Sequence, residues 1–519
     1  MRTPVPSDAG HNTVSSDENP QPENKFTTRK RWLFRLGAVV LGLSLVLLLE
    51  VSCRLLGWGN PVAFDDPFVG FSEVYPLFEK QGDRYQVVPS RRKFFANDSF
   101  PAEKPADGYR IFCLGGSTVQ GRPYSIETAF GTWLELALQA DDPRREWNVI
   151  NCGGISYASY RLVPILEECL TYEPDLMILC TGHNEFLEDR SYDHIKHETG
   201  FRRKTMEALS RSHLFTLFRQ AFHGEQSSEE EEIDKPMLPG EVDAMLDYHD
   251  SLALYHRDDE WRARIVEHYE FNLRRMIGLC RQAGVPIVLV RPPVNLAGTP
   301  PFKSEASQSL TDSQLEELQS LMNSARENYR DDLNASIRFL EAAVEMDPRF
   351  ALAWYELGQC YFTRHRTDEA REAFLRARDE DVCPLRIVSE QEAALLKVAA
   401  EENVPLVDAY LLFEQHSDSG ILDDQLLADH VHPTVFGHQL LASKLFEKLT
   451  ELGITEPPEE LSNRQNAWKE HHNSLDNHYF LQGQETLKAL QGWTQGRAVG
   501  PPAAERFPDR LKPGKTGKE

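Results

Sequence analysis

The sequence predicts an α/β protein in three layers: a parallel sheet covered by helices on both faces, with a helical insertion and one N-terminal transmembrane helix. Three observations lead there. Short, nearly continuous apolar runs rich in β-branched residues alternate with helical segments, the pattern of parallel strands buried on both faces. Polar clusters follow these runs, at the carboxyl ends of strands, where open parallel sheets bind ligands. A single uncharged stretch near the N-terminus stands behind a basic flank.

Residues 1–31 are polar and rich in Pro, Ser, Asn and charge, a composition that predicts disorder. Leu36–Leu49 (LGAVVLGLSLVLLL) carries no charge, and apolar character resumes after Glu50 as far as Trp58. Lys25, Arg29, Lys30, Arg31 and Arg35 precede it. Residues 32–57 therefore read as a transmembrane signal anchor that keeps the N-terminus cytoplasmic and the rest extracytoplasmic. The strictly apolar core is as short as a signal-peptide h-region, but no A-x-A-like cleavage site accompanies it. Glu50-Val51-Ser52-Cys53 has a glutamate that a lipoprotein cleavage box does not take. A buried core helix is the plain alternative, and the basic flank argues against it. The membrane-proximal segment 58–105, aromatic-rich from Pro61 to Phe100, carries no assignable pattern.

The predicted strands follow in order: Tyr109–Leu114, Trp147–Cys152, Leu176–Thr181, Pro286–Val290 and Pro405–Val407, separated by helices such as Thr128–Ala140 and Arg161–Leu170. They assign a sheet domain to residues 106–310 and 389–455. A first insertion, from about Asp189 to Trp261, holds a basic amphipathic helix and the acidic tract Ser227–Glu232, which reads as a solvated loop. The second, residues 311–388, is helical. Its Trp354, Leu357, Gly358, Tyr361, Ala370, Phe374 and Ala377 follow tetratricopeptide spacing, and about 34 residues earlier Ser336, Leu340, Ala343 and Pro348 hold second-helix positions. That makes one full repeat and half of another. Such repeats need about three units for a continuous core, so this one must lean on the neighbouring domain or on a partner protein. A protein-binding groove and a structural cap beside the site both remain open. Residues 456–519 are expected to be helical from Leu461 to Trp493, with Trp468, Tyr479, Leu481 and Leu487 as packing residues, and disordered after Arg497.

Bulk chemistry narrows the function. The net charge of −25 repels polyanions, which excludes non-specific nucleic-acid binding. Eight cysteines show no CxxC pair and no metal-ligand spacing. His194 and His197 form an H-x-x-H beside Asp193, but no third ligand motif follows, so this too reads as solvated.

The chemistry-bearing residues sit after the strands. Ser117 lies in Gly115-Gly116-Ser117-Thr118; a serine is a weak nucleophile that needs a positioned base, and an imidazole needs a carboxylate to hold its tautomer. Asp429 and His432, in Asp429-His430-Val431-His432-Pro433, are three apart and share a face if they occupy one helical turn. Between Ser117 and that pair in sequence lies Thr181-Gly182-His183-Asn184-Glu185, whose Asn184 amide suits an oxyanion. Singly, each has an ordinary reading: Ser117 as a helix N-cap or part of a phosphate cradle, Asn184 as a turn residue, His432 as a hydrogen-bonded histidine. No G-K-[ST] or G-x-G-x-x-G supports phosphate. Arg291 and Asn295 follow the fourth strand and either contact substrate or shape a proline-rich turn.

In this order the blocks resemble those of SGNH (GDSL-type) hydrolases, over roughly Tyr109–Asn295 and Pro405–Phe446. The resemblance implies a flavodoxin-like parallel sheet, Ser117 as nucleophile, His432 as base and Asp429 as its orienter. It also implies Asn184 as an oxyanion donor and no metal or organic cofactor. The first block reads G-G-S-T rather than G-D-S-L, and Glu185 stands where aspartate is frequent. In Asn151-Cys152-Gly153-Gly154-Ile155-Ser156, the second oxyanion N–H aligns with Ser156 if Asn151 sets the register, and with Gly153 or Gly154 otherwise. The expected activity is hydrolysis of an acyl ester, such as an O-acetylated carbohydrate. An O-acyltransferase on the same triad and a non-catalytic scaffold acting through the tetratricopeptide insertion are the alternatives.

Overall fold

The computed structural model describes residues 28–56, 58, 76–188, 212–214, 217, 242–458, 460–498 and 500–503. They belong to two compact units, one drawn from residues 1–61 and 204–226, the other from 62–203 and 227–519. The basic helix and acidic tract expected in the first insertion lie outside the described residues, as do Asp193, His194, His197 and residues 1–27.

The first unit is built on α1 (Thr28–Leu56). Its stretch Arg35–Leu56 has 22 residues at mean hydropathy 2.3, long and apolar enough to cross a membrane. At 1.5 Å per residue that is about 33 Å, close to a hydrocarbon core. Glu50, the only acid in the stretch, accepts from Arg54 at 2.8 Å, from the Ser212 hydroxyl at 2.7 Å and from the N–H groups of His213 and Leu214 at 3.1 and 2.9 Å. A carboxylate in an apolar helix needs such partners.

The second unit begins with a small antiparallel sheet, β1 (Phe78–Gln81), β2 (Arg84–Val87) and β3 (Ser99–Pro101), in the stretch that carried no assignable pattern. Its strands are three or four residues long, too short for a two-residue alternation to register. Aromatic rings fasten it to the main domain: Phe78 meets Phe100 at 5.1 Å, Phe100 meets Phe112 at 5.4 Å, and Tyr85 meets Tyr172 at 4.6 Å.

The main sheet comprises β4 (Gly108–Gly115), β5 (Glu146–Gly153), β6 (Leu176–Cys180), β7 (Ile287–Arg291) and β8 (Leu406–Asp408), all parallel, in the order β5-β4-β6-β7-β8. This is the flavodoxin-like order, and every strand lies within one residue of its sequence expectation. Alternate side chains face opposite layers. Phe112, Leu114, Met177, Leu179 and Leu289 join one apolar cluster, while Cys113, Ile178, Val288 and Val290 join the other. Because both faces are covered, the strands read as continuous apolar runs. After the single turn α2 (Ser117–Gln120), α3 (Phe130–Asp141) covers one face and α4 (Ser159–Cys169) and α5 (Asp259–Ala283) the other.

The second insertion forms four helices: α6 (Asp312–Asn328), α7 (Leu333–Met346), α8 (Ala351–Thr363) and α9 (Thr367–Asp379). It is two complete hairpins, not one and a half. The missed helix α6 carries Ser320, Ser324 and Glu327 at positions about 34 residues before Trp354, Gly358 and Tyr361, so the repeat signature is absent there. Gly358 lies flat on the Phe374 ring, where a Cβ would overlap it. The hairpins lean on their own domain: Leu340, Leu357 and Phe374 share the apolar cluster of Val290 and Ile387. Tyr355 and Gln359 donate to the Ala297 carbonyl at 2.9 and 2.6 Å.

The chain closes with α10 (Ser389–Glu401), α11 (Ala409–His416), α12 (Val435–Glu451), α13 (Leu461–Ser474) and α14 (Asn477–Thr494). Trp468 donates to the Trp133 carbonyl at 2.8 Å, whereas Leu481, expected to pack, is 56 % exposed. Disorder was expected beyond Arg497, yet residues 500–503 are held. The His249 N–H donates to the Pro501 carbonyl at 3.1 Å, the Ala503 N–H donates back at 3.0 Å, and Ala503 is buried.

Candidate active site

The polar clusters meet at the carboxyl end of the sheet, beside the switch in strand order. β4 ends at Gly115, Gly116 caps α2, and Ser117 is its first residue. The glycines are needed for approach: a Cβ at Gly115 would overlap the Cys180 carbonyl, and one at Gly116 would overlap the Asn184 amide nitrogen. Ser117 Oγ lies 2.7 Å from His432 Nε2, and His432 Nδ1 lies 2.7 and 2.9 Å from the two carboxylate oxygens of Asp429. The three side chains, Ser117 more than three hundred residues before the other two in sequence, form one unbroken line.

Asp429 and His432 do not share a helical turn, as the three-residue spacing suggested. Residues 428–431 form bends, and α12 begins only at Val435. The pair meets because the Asp429 carboxylate folds the loop onto itself, accepting the N–H groups of Val431 and His432, both at 2.9 Å. The Ala428 N–H closes the loop on the His432 carbonyl at 2.7 Å. Burial pushes the Asp429 carboxyl up, but the imidazoles of His432 and His430 and these donors outweigh it and hold the group well below the usual carboxylate range. His430 is buried beside it and is lowered to about 4, chiefly by burial.

Asn184 Nδ2 donates to the Tyr157 carbonyl at 3.1 Å, which fixes the amide against Gly116. In the neighbouring turn, the Gly153 N–H is taken by Asn151 Oδ1 at 2.9 Å and the Gly154 N–H by the Gly115 carbonyl at 2.9 Å. The N–H groups of Ile155 and Tyr157 are taken by the carbonyls of Phe94 and Gly154. Among the described residues, no acceptor takes the Ser156 N–H, and Ser156 has φ +62°, the left-handed region that favours glycine. Glu185 serves another end: its carboxylate accepts the Ser159 N–H and hydroxyl, both at 2.8 Å, and caps α4. Burial raises it to about 7.

Arg291 and Asn295 are held elsewhere than at the Ser117 pair. The Arg291 guanidinium donates to Asp408 at 3.1 Å and Glu392 at 3.2 Å and lies 4.3 Å over the Tyr410 ring, so its charge serves the β7–β8 edge. Asn295 braces the Asp429 loop: its N–H donates to the His430 carbonyl at 3.0 Å and its amide to the Asp429 carbonyl at 3.2 Å.

With that geometry in place, comparisons add context. The chain matches the tetratricopeptide repeat model over residues 330–382. The repeat therefore lies in the helical insertion. No curated protein matches the chain. Among solved structures it is similar to LAE5, an alpha/beta hydrolase enzyme from the metagenome of Lake Arreo, at 14 % identity over 68 % of this chain and 99 % of that one, TM-score 0.29. It is also similar to the acetylxylan esterase Axe2 from Geobacillus stearothermophilus, at 14 % identity over 67 % and 96 %, TM-score 0.30. A lipase/acylhydrolase from Enterococcus faecalis matches at 12 % identity over 66 % and 96 %, TM-score 0.29. Identity at that level leaves the chemistry to be read from the side chains themselves.

Several supports escaped sequence reasoning. Phe94 accepts the Ile155 N–H at 2.9 Å, and Asp98 accepts the Asn151 N–H at 2.8 Å, so the small sheet's connection braces the Ser156 turn. Asn151 stitches the turn to α2, donating to the Val119 carbonyl at 2.8 Å. No motif announced Phe94 or Asp98, because each acts through backbone partners distant in sequence.

Proposed function

We propose that this chain is a membrane-anchored, extracytoplasmic serine esterase of SGNH type. The observation that carries the reading is the unbroken Ser117–His432–Asp429 line, with serine and imidazole at 2.7 Å. His432 takes the Ser117 proton as Oγ attacks an ester carbonyl, and Asp429 stabilises the imidazolium. The tetrahedral oxyanion is held by the N–H groups of Ser117 and Ser156 and by the Asn184 amide. His432 then protonates the leaving alcohol, and water, activated by the same imidazole, releases the acyl group. O-acetylated carbohydrate fits as substrate class, with α1 as the membrane anchor and the N-terminus cytoplasmic.

Fluorophosphonate labelling of the detergent-solubilised full chain, with the modified residue mapped by mass spectrometry, tests this. Stoichiometric labelling at Ser117, lost in His432→Ala, is the expected result. A folded sample that does not label would sink the esterase and leave a scaffold whose insertion binds partners.

A further inference from the structure

Arg122 lies five residues beyond Ser117, and nothing in the mechanism above uses it. Its backbone is fixed to the Ser117 turn. Its N–H donates to the Ser117 carbonyl at 3.1 Å, and Gly121 before it has φ +102°, where any Cβ would overlap the Ser125 carbonyl. The side chain is partly buried, yet among the described residues no carboxylate or carbonyl accepts from its guanidinium. Other arginines packed against this domain are engaged. Arg110 donates to the carbonyls of Tyr172 and Pro101, Arg161 to Glu188, and Arg386 to the carbonyls of Asn295 and Thr299.

Burial lowers the pKa of the Arg122 guanidinium, and Asp429 is the one charge that acts to raise it. That carboxylate is already committed to His432 and two backbone N–H groups. A half-buried guanidinium that no carboxylate or carbonyl takes is open to an anion brought from outside. Two residues on, Tyr124 stacks on Tyr479 at 5.9 Å and meets Phe480 edge-on at 5.8 Å, which fastens this loop to α14. The net charge of −25 repels an acidic substrate at long range, so holding one requires a local cation.

We propose that Arg122 determines specificity by binding a carboxylate of the ester substrate, which makes esters of acidic glycans the fitting class. The proposal rests on the esterase reading of Ser117 and His432. A guanidinium offers carboxylate two parallel N–H donors, whereas the ester of a neutral polysaccharide leaves it unpaired.

The test compares kcat/KM of the full chain in detergent with that of Arg122→Gln on an O-acetylated polyuronate, O-acetylated xylan and 4-nitrophenyl acetate. A further arm, 4-nitrophenyl hemisuccinate, places the carboxylate on the acyl side. The substitution should cut the polyuronate-to-xylan ratio ~10- to 100-fold, mainly through KM, and Arg122→Lys should restore part of it. An equal fall on every ester overturns the proposal. Selective loss on hemisuccinate alone keeps the carboxylate and overturns the glycan. If no ester turns over and Ser117 does not label, the esterase reading has failed, and calorimetry of polyuronate oligomers decides Arg122 separately. Binding to Ser117→Ala should then weaken about tenfold in Ser117→Ala/Arg122→Gln, and equal binding by the two overturns the assignment.

Discussion

The Asp429–His432 loop and the Gly153–Tyr157 turn both pack at the carboxyl end of the sheet, yet they are shaped by opposite means. The loop is held by side chains: one carboxylate gathers an imidazole and two backbone N–H groups, and Asn295 braces its outer side. The turn is held mainly by backbone: Gly154 and Ile155 donate to carbonyls of Gly115 and Phe94, and Ser156 takes a left-handed conformation, while the side chains of Asn151 and Asn184 hold only its two ends, at Gly153 and Tyr157. A side-chain-held loop depends on residue identity and fails when one atom changes. A backbone-held turn depends on conformation and tolerates any residue that adopts it.

The largest effect expected is therefore on the loop. Asp429→Asn keeps the shape of the side chain but removes the charge that opposes the imidazolium, and kcat on a reporter ester should fall ~10⁴-fold. A loss below tenfold would show that His432 is oriented without it. Next comes Asn184→Ala, which deletes one proposed oxyanion donor and should lower kcat by ~10²–10³. Because the Asn184 amide also donates to the Tyr157 carbonyl, thermal melting of the same variant separates lost chemistry from a loosened turn.

This contrast also explains how much was legible in the sequence. The five strands could be placed because burial on both faces makes them continuous apolar runs. Ser117 and Asn184 stood out because they directly follow strands, and Asp429 and His432 because their residue types and three-residue spacing suit a carboxylate–imidazole pair. What stayed hidden depends on tertiary partners. The small sheet of Phe78–Pro101 has strands too short for periodicity. Helix α6 lacks the repeat's marker residues. The Asp429–His432 spacing suggested a helical turn, whereas the carboxylate's own hydrogen bonds to backbone build a loop. Arg291 followed a strand as a ligand-binding residue would, and its acidic partners Glu392 and Asp408 come from distant segments.

A third test reaches the loop through acid sensitivity. His183 and His438 are buried and lowered to about 3, and His430 to about 4, with burial the largest cause in each. Both ring nitrogens of His438 lack partners among the described residues. An unfolded histidine titrates near ~6.5, so between that pH and about 4 these three histidines bind more protons in the unfolded chain and lower stability as pH falls, while the Glu185 carboxyl, raised to about 7 by burial, acts in the opposite direction. Asp429, whose folded pKa is depressed, adds a loss in the same direction as the histidines at lower pH, below ~3.9. Urea unfolding at pH 7.5 and 5.0 should show His438→Phe, beside Phe130, gaining stability relative to wild type at the lower pH. Equal pH sensitivity in that variant would remove His438 from the account.

The smallest effect belongs to the turn. Ser156 holds φ +62°, which costs an L-residue about 1–2 kcal/mol, while glycine there loses about 0.5–1 kcal/mol more chain entropy on folding than alanine does. Ser156→Gly should therefore stabilise the protein by about 1 kcal/mol or less, seen as a small rise in Tm. Its kcat should stay close to wild type, since the proposed donor is a backbone N–H that glycine also supplies. A fall of tenfold or more in Ser156→Gly would mean that the serine hydroxyl itself takes part, and the turn would then join the loop as a region defined by its side chains.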